Sequence, residues 1–219
     1  HQDCMSSVIL KIAKKKKIEV RIAHSHSTSQ DKNLKYLIKL YYRRQIPYFS
    51  THLFACSQAA GKWMFGDHQF TVLNNAIDAE KFQFDAEKRK IARRRLKVQE
   101  QELLIGHVGR FCYPKNHSFL VDIFNAIQKK IPSKLILVGD GELKKDIERK
   151  VKAYGLEDKV FFTGVISDVS EIMQAIDVFV FPSNYEGLPV TLIEAQASGL
   201  PCLISDRVPL ECKITDLVE

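Results

Sequence analysis

From about residue 100 the sequence alternates short apolar runs with amphipathic stretches, and this alternation restricts the fold more than any other feature. Leu103-Leu104-Ile105-Gly106-His107-Val108-Gly109 reads as a buried strand. A helix over 116–130 follows, with Phe119, Leu120, Ile123, Phe124 and Ile127 on one face. Lys134 to Gly139 is the next strand, and a charged helix over 142–154 ends at Gly155, a suitable C-terminal cap. Strand 159–163, helix 168–176, strand 177–181, helix 189–198 and strand 201–205 continue the series. Uninterrupted apolar strands separated by helices predict an α/β fold whose parallel sheet is covered on both faces.

The first 80 residues read as the tail of a similar domain. The pattern predicts a helix at 3–14, strand Glu19–Ala23, a polar loop His24–Asp31, a helix at 34–45, strand 52–56, a helix at 57–64 and strand 70–73. Asn74-Asn75-Ala76-Ile77-Asp78 is a turn and the expected interdomain linker, giving domains 1–80 and 81–219.

Hydrophobic residues make up 45% of the 219, enough for a real core. No apolar run approaches the roughly 18 residues of a membrane span, and a secretory leader is not expected. Five scattered cysteines without a C-x-x-C pair read as reduced cytosolic thiols. The net charge of +7 is uneven: residues 1–80 hold 12 Lys and Arg against 6 Asp and Glu. Lys14 to Lys17 and Arg43-Arg44 concentrate this excess, which suits a solvated surface or a peripheral contact with anionic membrane. Nucleic acid is not expected, since aromatic stacking motifs are lacking. The basic stretch Lys88–Lys97 follows a helical pattern and is expected to face water.

The chemistry concentrates in Tyr185-Glu186-Gly187-Leu188-Pro189-Val190-Thr191-Leu192-Ile193-Glu194, directly after the apolar run Val178–Phe181. This is a strand, a glycine loop, then a helix. Ligands of open α/β sheets bind outside the carboxyl ends of strands. Pro189 suits a first helical position, and the amides after it favour an anion. Glu194 lies roughly 7 Å further along the helix, about the offset from a diphosphate to its ribose hydroxyls. One such unit can hold a nucleotide diphosphate sugar.

Two Glu separated by seven residues, followed by Ala-Gln-Ala-Ser-Gly-Leu-Pro-Cys-Leu-Ile-Ser-Asp, resemble the retaining glycosyltransferases of the group 1 family (family 4). Val72-Leu73-Asn74-Asn75-Ala76-Ile77-Asp78 is similar to the family's interdomain turn, with Asn75 in place of glycine and expected to keep its positive φ. Gly109-Arg110-Phe111-Cys112-Tyr113-Pro114-Lys115-Asn116 resembles the Gly-Arg…Lys-Gly segment, with Asn116 where glycine is usual. The resemblance implies the GT-B architecture of two Rossmann-like domains facing a cleft. The first would be incomplete at its N-terminus and the second at its C-terminus. It implies that 1–80 belongs to the acceptor domain and 81–219 to the nucleotide-sugar donor domain.

The resemblance also assigns roles. Arg110 and Lys115 would clamp the diphosphate and stabilise the charge on the leaving group. Glu186 with the amides of Gly187 and Leu188 would hold the sugar hydroxyls, and Glu194 the ribose. Gly109 and Pro189 border the donor, Val165 packs the base through backbone atoms, and Gly139–Glu142 has a minor place. A histidine reaching the transferred sugar is His24 or His26, with His24 favoured because it directly follows the apolar strand. No cofactor and no metal are expected: Asp-x-Asp is absent, and His24-x-His26 has no ligand-spaced partner. The expected activity is metal-independent, retaining hexosyl or N-acetylhexosaminyl transfer, with uridine the expected base. The acceptor would be a saccharide or lipid-linked saccharide in capsule or exopolysaccharide synthesis, handled in the cytoplasm or at the inner face of the plasma membrane. The competing readings are a sugar-nucleotide epimerase of the same fold and a nucleotide-binding fragment without activity.

Overall fold

The structure, a computed structural model, describes residues 3–29 and 36–219. The end of the polar loop after His24 and the start of the helix expected at 34–45 lie outside the described residues. The chain forms two compact units. The first comprises residues up to Ala76 together with Tyr185–Leu188, and the second Ile77–Asn184 with Pro189–Glu219.

In the first unit a 3-10 turn (Asp3–Met5) leads into α1 (Ser6–Lys15), then β1 (Ile22–Ser25), α2 (Tyr36–Phe49), β2 (His52–Ala55), α3 (Gln58–Phe65) and β3 (Thr71–Val72). The three strands are parallel in the order β1-β2-β3, with Ile22 opposite His52 and Ala55 opposite Val72. Ser57, in extended backbone, caps α3 by accepting from the Ala60 amide at 3.1 Å. A Cβ on Gly61 would strike the Phe70 ring at 2.1 Å, so only glycine lets that ring lie against α3. Asn75 does not keep a positive φ as the turn pattern predicts; among the described residues only Lys17, Lys97 and Asn116 do so without being glycine. Its side-chain amide instead donates to the carbonyl of Leu188 at 2.9 Å, which fixes the turn without a left-handed residue.

The second unit runs α4 (Ala79–Phe82), α5 (Ala86–Arg95), β4 (Leu103–Val108), a 3-10 turn (Tyr113–Lys115), α6 (His117–Ile127), β5 (Ser133–Val138), α7 (Lys144–Ala153), β6 (Val160–Gly164), α8 (Ser170–Ala175), β7 (Val178–Phe181), α9 (Val190–Ala197) and β8 (Cys202–Ile204). All five strands are parallel, in the order β6-β5-β4-β7-β8. The chain proceeds outward from β4 through β5 to β6, then returns to the other side of β4 for β7 and β8. The topological switch point, where ligands of such sheets bind, therefore lies between β4 and β7.

Leu120, Val121 and Phe124 of α6, Ile147 and Val151 of α7, and Leu135 and Leu137 of β5 share one buried cluster with Phe111. The buried face of α6 is rotated from the predicted one: Val121 is fully buried, whereas Phe119 is 53% exposed. Gly155 has the positive φ of 65° expected of a helix end. Among the described residues no disulfide forms, and burial pushes the Cys202 thiol up to about 12.

α5 departs from expectation. Its basic residues do not all face water, because Arg89 and Arg93 turn inward onto Asp177 ahead of β7. Arg93 is 6% exposed. It donates to the Asp177 carboxylate at 2.9 Å and to the carbonyls of Ala175, Gln99 and Glu102 at 3.0, 2.6 and 2.7 Å. Burial works against the Asp177 carboxylate. The Leu104 amide and the two guanidinium groups outweigh it and hold the group below its ordinary range.

Candidate functional site

At the switch point the second unit presents the turn that leaves β4. The Gly109 amide donates to Val138 at 2.9 Å and the Phe111 amide to Asp140 at 3.0 Å, which ties the turn to the loop after β5. The approach is close: a Cβ on Gly139, whose φ is 135°, would lie 2.1 Å from the Gly109 carbonyl oxygen. Gly139–Glu142 thus buttresses Gly109–Phe111. Arg110 extends from the turn and pairs with Glu142 at 3.0 Å, both side chains being more than half exposed. Such an exposed pair contributes about 0–1 kcal/mol, so Arg110 can exchange it for a bound anion at little cost.

Lys115 closes the 3-10 turn, and its Nζ lies 4.5 Å from the centroid of the Phe181 ring at the carboxyl end of β7. Asn116 follows in the left-handed conformation (φ 53°, ψ 42°), so asparagine serves where glycine is usual. Its side chain donates to the Pro182 carbonyl at 3.2 Å. Asn184 reaches back, its backbone amide donating to Pro114 at 2.7 Å and its side chain to Tyr113 at 2.9 Å. The Gly109–Asn116 segment and the end of β7 are therefore laced together, which fixes where Lys115 presents its charge.

Beneath them lie two histidines that the sequence reading did not single out. His107, on β4, is fully buried and its Nδ1 is 2.8 Å from the Val180 carbonyl oxygen. His117 opens α6, stacks on Phe111 at 4.1 Å and meets the His107 ring edge-on at 4.7 Å. Burial, followed by neighbouring charge that includes Lys115, pushes His107 well below its ordinary value and His117 down to about 4. Both rings are neutral at pH 7. The available signal was a polar residue in the middle of an otherwise apolar strand.

Glu194 is half-buried on α9, which packs against α4. Burial raises its carboxyl, and the Lys81 ammonium on α4 partly offsets that. Lys81 itself pairs with Asp168 at 3.2 Å. Pro189 is not the first helical residue as predicted but the cap before it: its ψ of 112° is extended, and its carbonyl accepts from Leu192 at 3.2 Å. Val165, 78% exposed, follows the positive-φ Gly164 at the end of β6.

In the first unit, Tyr185–Leu188 is gripped through its backbone. Thr28 donates to the Glu186 carbonyl, Ser57 to that of Gly187 at 3.4 Å and Asn75 to that of Leu188 at 2.9 Å. A Cβ on Gly187 would lie 2.1 Å from the His26 carbonyl oxygen, so the contact requires glycine. His24, within β1 rather than after it, faces His26 with ring centroids 4.1 Å apart. Burial lowers both imidazoles; a hydrogen bond with the Leu73 backbone partly offsets this for His24, and the His24 charge adds to it for His26. The structure thus gathers Gly109, Arg110 and Lys115 at the switch point of one unit, and His24, His26, Glu186 and Gly187 in the other. Among the described residues, no three His, Cys, Asp or Glu side chains are grouped to hold a metal.

The EpsF protein of Bacillus subtilis (strain 168) is 39% identical over 220 residues, covering 95% of this chain and 56% of its own length. An Escherichia coli enzyme named UDP-Gal:alpha-D-GlcNAc-diphosphoundecaprenol alpha-1,3-galactosyltransferase is 32% identical over 142 residues, covering 63% of this chain and 37% of its own length. The chain therefore spans little more than half the length of the first relative and less of the second. The fold is shared with Anabaena HepE in complex with UDP-glucose, at a TM-score of 0.82 and 20% identity over 97% of this chain and 60% of that one. The family described as Glycosyl transferases group 1 matches residues 88–216, a span that includes the Gly109–Lys115 turn and both glutamates. By that match, over more than half its length, the chain belongs to the group 1 glycosyl transferases.

Proposed function

We propose that this chain is the catalytic portion of a retaining glycosyltransferase that moves a hexosyl or N-acetylhexosaminyl group from a UDP-sugar to a saccharide or lipid-linked acceptor in polysaccharide synthesis. The observation that carries the reading is the Lys115 ammonium held against Phe181 at the switch point, with Gly109 and Arg110 beside it. Two relatives add support by what they are: one is named a UDP-galactose-dependent transferase acting on a diphosphoundecaprenol-linked sugar, and HepE was crystallised with UDP-glucose.

In this reading Glu194 holds the ribose and the Val165 backbone packs the base. Lys115 and Arg110 take up the charge that grows on the diphosphate as the sugar bond breaks. Fixed cations aimed at that charge stabilise the transition state more than the bound donor. Glu186 and the amides of Gly187 and Leu188 hold the sugar hydroxyls, Pro189 caps the helix beside them, and His24 rather than His26 contacts the transferred sugar. The acceptor attacks the face from which the diphosphate departs, and a leaving phosphate oxygen takes the acceptor's proton. No metal and no cofactor enter this scheme. Incubation with UDP-glucose, UDP-galactose and their N-acetylated counterparts tests it. Release of UDP with an α-linked product by NMR supports it; a β-linked product removes the retaining assignment, and absence of turnover in a chain that binds UDP favours the nucleotide-binding reading without activity.

The membrane part of the reading rests on α1. No helix among the described residues is long and apolar enough to cross a membrane. Ile9 and Ile12 of α1 and Ile18 just beyond it are more than half exposed, beside Lys11 and Lys14 to Lys17. We propose that this basic, apolar surface rests on anionic lipid. Co-sedimentation with phosphatidylglycerol vesicles, lost in phosphatidylcholine and at 1 M salt, is expected; equal behaviour in both lipids contradicts it.

A further inference from the structure

Beyond the residues already given roles lie the Lys81–Asp168 pair beside Glu194, the Arg89–Arg93–Asp177 network, and the imidazole pair under Lys115. The last carries an inference. We propose that His107 is a positioning residue for the donor diphosphate: it bridges β4 to β7 at the switch point and, with His117, forms the floor that sets the place of the Lys115 ammonium. The proposal rests on the nucleotide-sugar reading above.

The bridge follows from the strand register. β4 and β7 are paired only at Ile105–Val178 and Gly106–Phe179. One residue further the His107 ring reaches across to the Val180 carbonyl at 2.8 Å. A carbonyl only accepts, so Nδ1 carries the proton, and the neutral ring bears its lone pair on Nε2. Beyond the last paired residues, β4 and β7 are thus joined by a side chain.

The floor follows from the packing. A Cβ on Gly109 would come within 3.0 Å of His107 Nε2, and within 3.2 and 3.3 Å of Cδ and Cε of Lys115. The space that a side chain at Gly109 would take is therefore bounded by both the ring and the lysine stem. His117 locks the arrangement from the other direction. It directly follows Lys115-Asn116, is 3% exposed, and is held between the His107 and Phe111 rings.

The chemistry argues against mere filling. His107 Nε2 and both nitrogens of His117 have no hydrogen-bond partner among the described residues. Burying such atoms costs about 1–3 kcal/mol each relative to an apolar side chain of the same shape. Phenylalanine would fill both places without that cost, but it offers no donor to Val180. The donor is what the His107 position supplies.

The test uses the 219-residue chain, with calorimetric titration of UDP and of uridine, which lacks the phosphates. His107→Phe keeps a ring and loses the bridge. It is expected to bind UDP about tenfold more weakly, with uridine affinity held within about twofold. His107→Asn, whose amide can donate to Val180, recovers part of the loss. Gly109→Ala leaves the bridge intact but inserts a methyl between ring and lysine stem. It is expected to show the same UDP-selective loss, and so tests the floor even if His107→Phe does not fold. Wild-type UDP affinity in His107→Phe and Gly109→Ala, or equal losses for UDP and uridine, overturns the positioning role while leaving the nucleotide reading standing. A wild-type chain that binds neither compound overturns the nucleotide reading, and this role with it.

Discussion

The Lys115 ammonium lies 4.5 Å from the centre of the Phe181 ring, so a cation at the switch point rests on an aromatic face. Such a ring contact holds the cation in place and contributes about 0.5–2 kcal/mol.

Replacing Lys115 by Met keeps the stem and removes the charge. Turnover with a UDP-sugar should then fall on the order of a hundredfold or more, with thermal stability little changed. Phe181→Leu should cost about tenfold, because it removes the aromatic face under the ammonium while leaving the charge. Steady-state kinetics beside a melting curve measure both, and unchanged turnover in Lys115→Met speaks against the role.

Glu194 and Arg110 should separate in their effects. Glu194→Ala is expected to weaken UDP binding about tenfold, as the loss of a charged hydrogen bond to the ribose does. Arg110→Ala should lower turnover more than affinity, since its exposed pairing with Glu142 leaves it little committed in the free protein. Titration and rate measurements on the same two variants decide the matter. Small, equal effects of both would leave the assignments without support.

Arg93→Ala should destabilise the chain by about 3 kcal/mol, because it removes one of the two guanidinium partners of Asp177 and leaves three carbonyls without the donor that serves them. Arg94→Ala, one residue along on the exposed side of α5, should stay within about 0.5 kcal/mol. Urea unfolding of the two variants gives the comparison, and similar midpoints would contradict the burial of Arg93.

Acid should destabilise the chain through the imidazole pair. An unfolded His117 takes up its proton near 6.5, the folded one only near 4. The unfolded state therefore binds more protons across that window, and stability falls as the pH drops through it. At about 1.4 kcal/mol per pH unit the loss from His117 reaches the order of 3 kcal/mol at the lower end. His107 is shifted in the same direction and adds to the loss. Urea unfolding at pH 7.5, 5.5 and 4.5 measures the slope, which His117→Phe should reduce. An identical slope in the variant would show that His117 is not its source.

The alternation of apolar runs made the second sheet and the place of the Gly109–Lys115 turn readable, because a buried parallel strand leaves few options for where its loop emerges. Boundaries moved by a residue or two, as at Pro189, whose extended ψ makes it a cap. The failures share a cause. Arg93 looked like one member of a charged face, since nothing local marks a carboxylate 84 positions away as its partner. Asn75 was expected to turn through a positive φ, and instead uses its side chain on Leu188, 113 positions on. His107 was hidden in an apolar strand, its bond to Val180 fixed only by strand order. Periodicity reads local burial; it does not read which distant group a polar side chain will meet.

Titration of UDP into the wild-type chain and into Lys115→Met and Glu194→Ala tests the central claim, a nucleotide diphosphate held at the switch point of the second unit. Saturable one-to-one binding in the wild type, weakened in both variants without loss of fold, is the predicted result. No binding to the wild type, or binding indifferent to both substitutions, contradicts it.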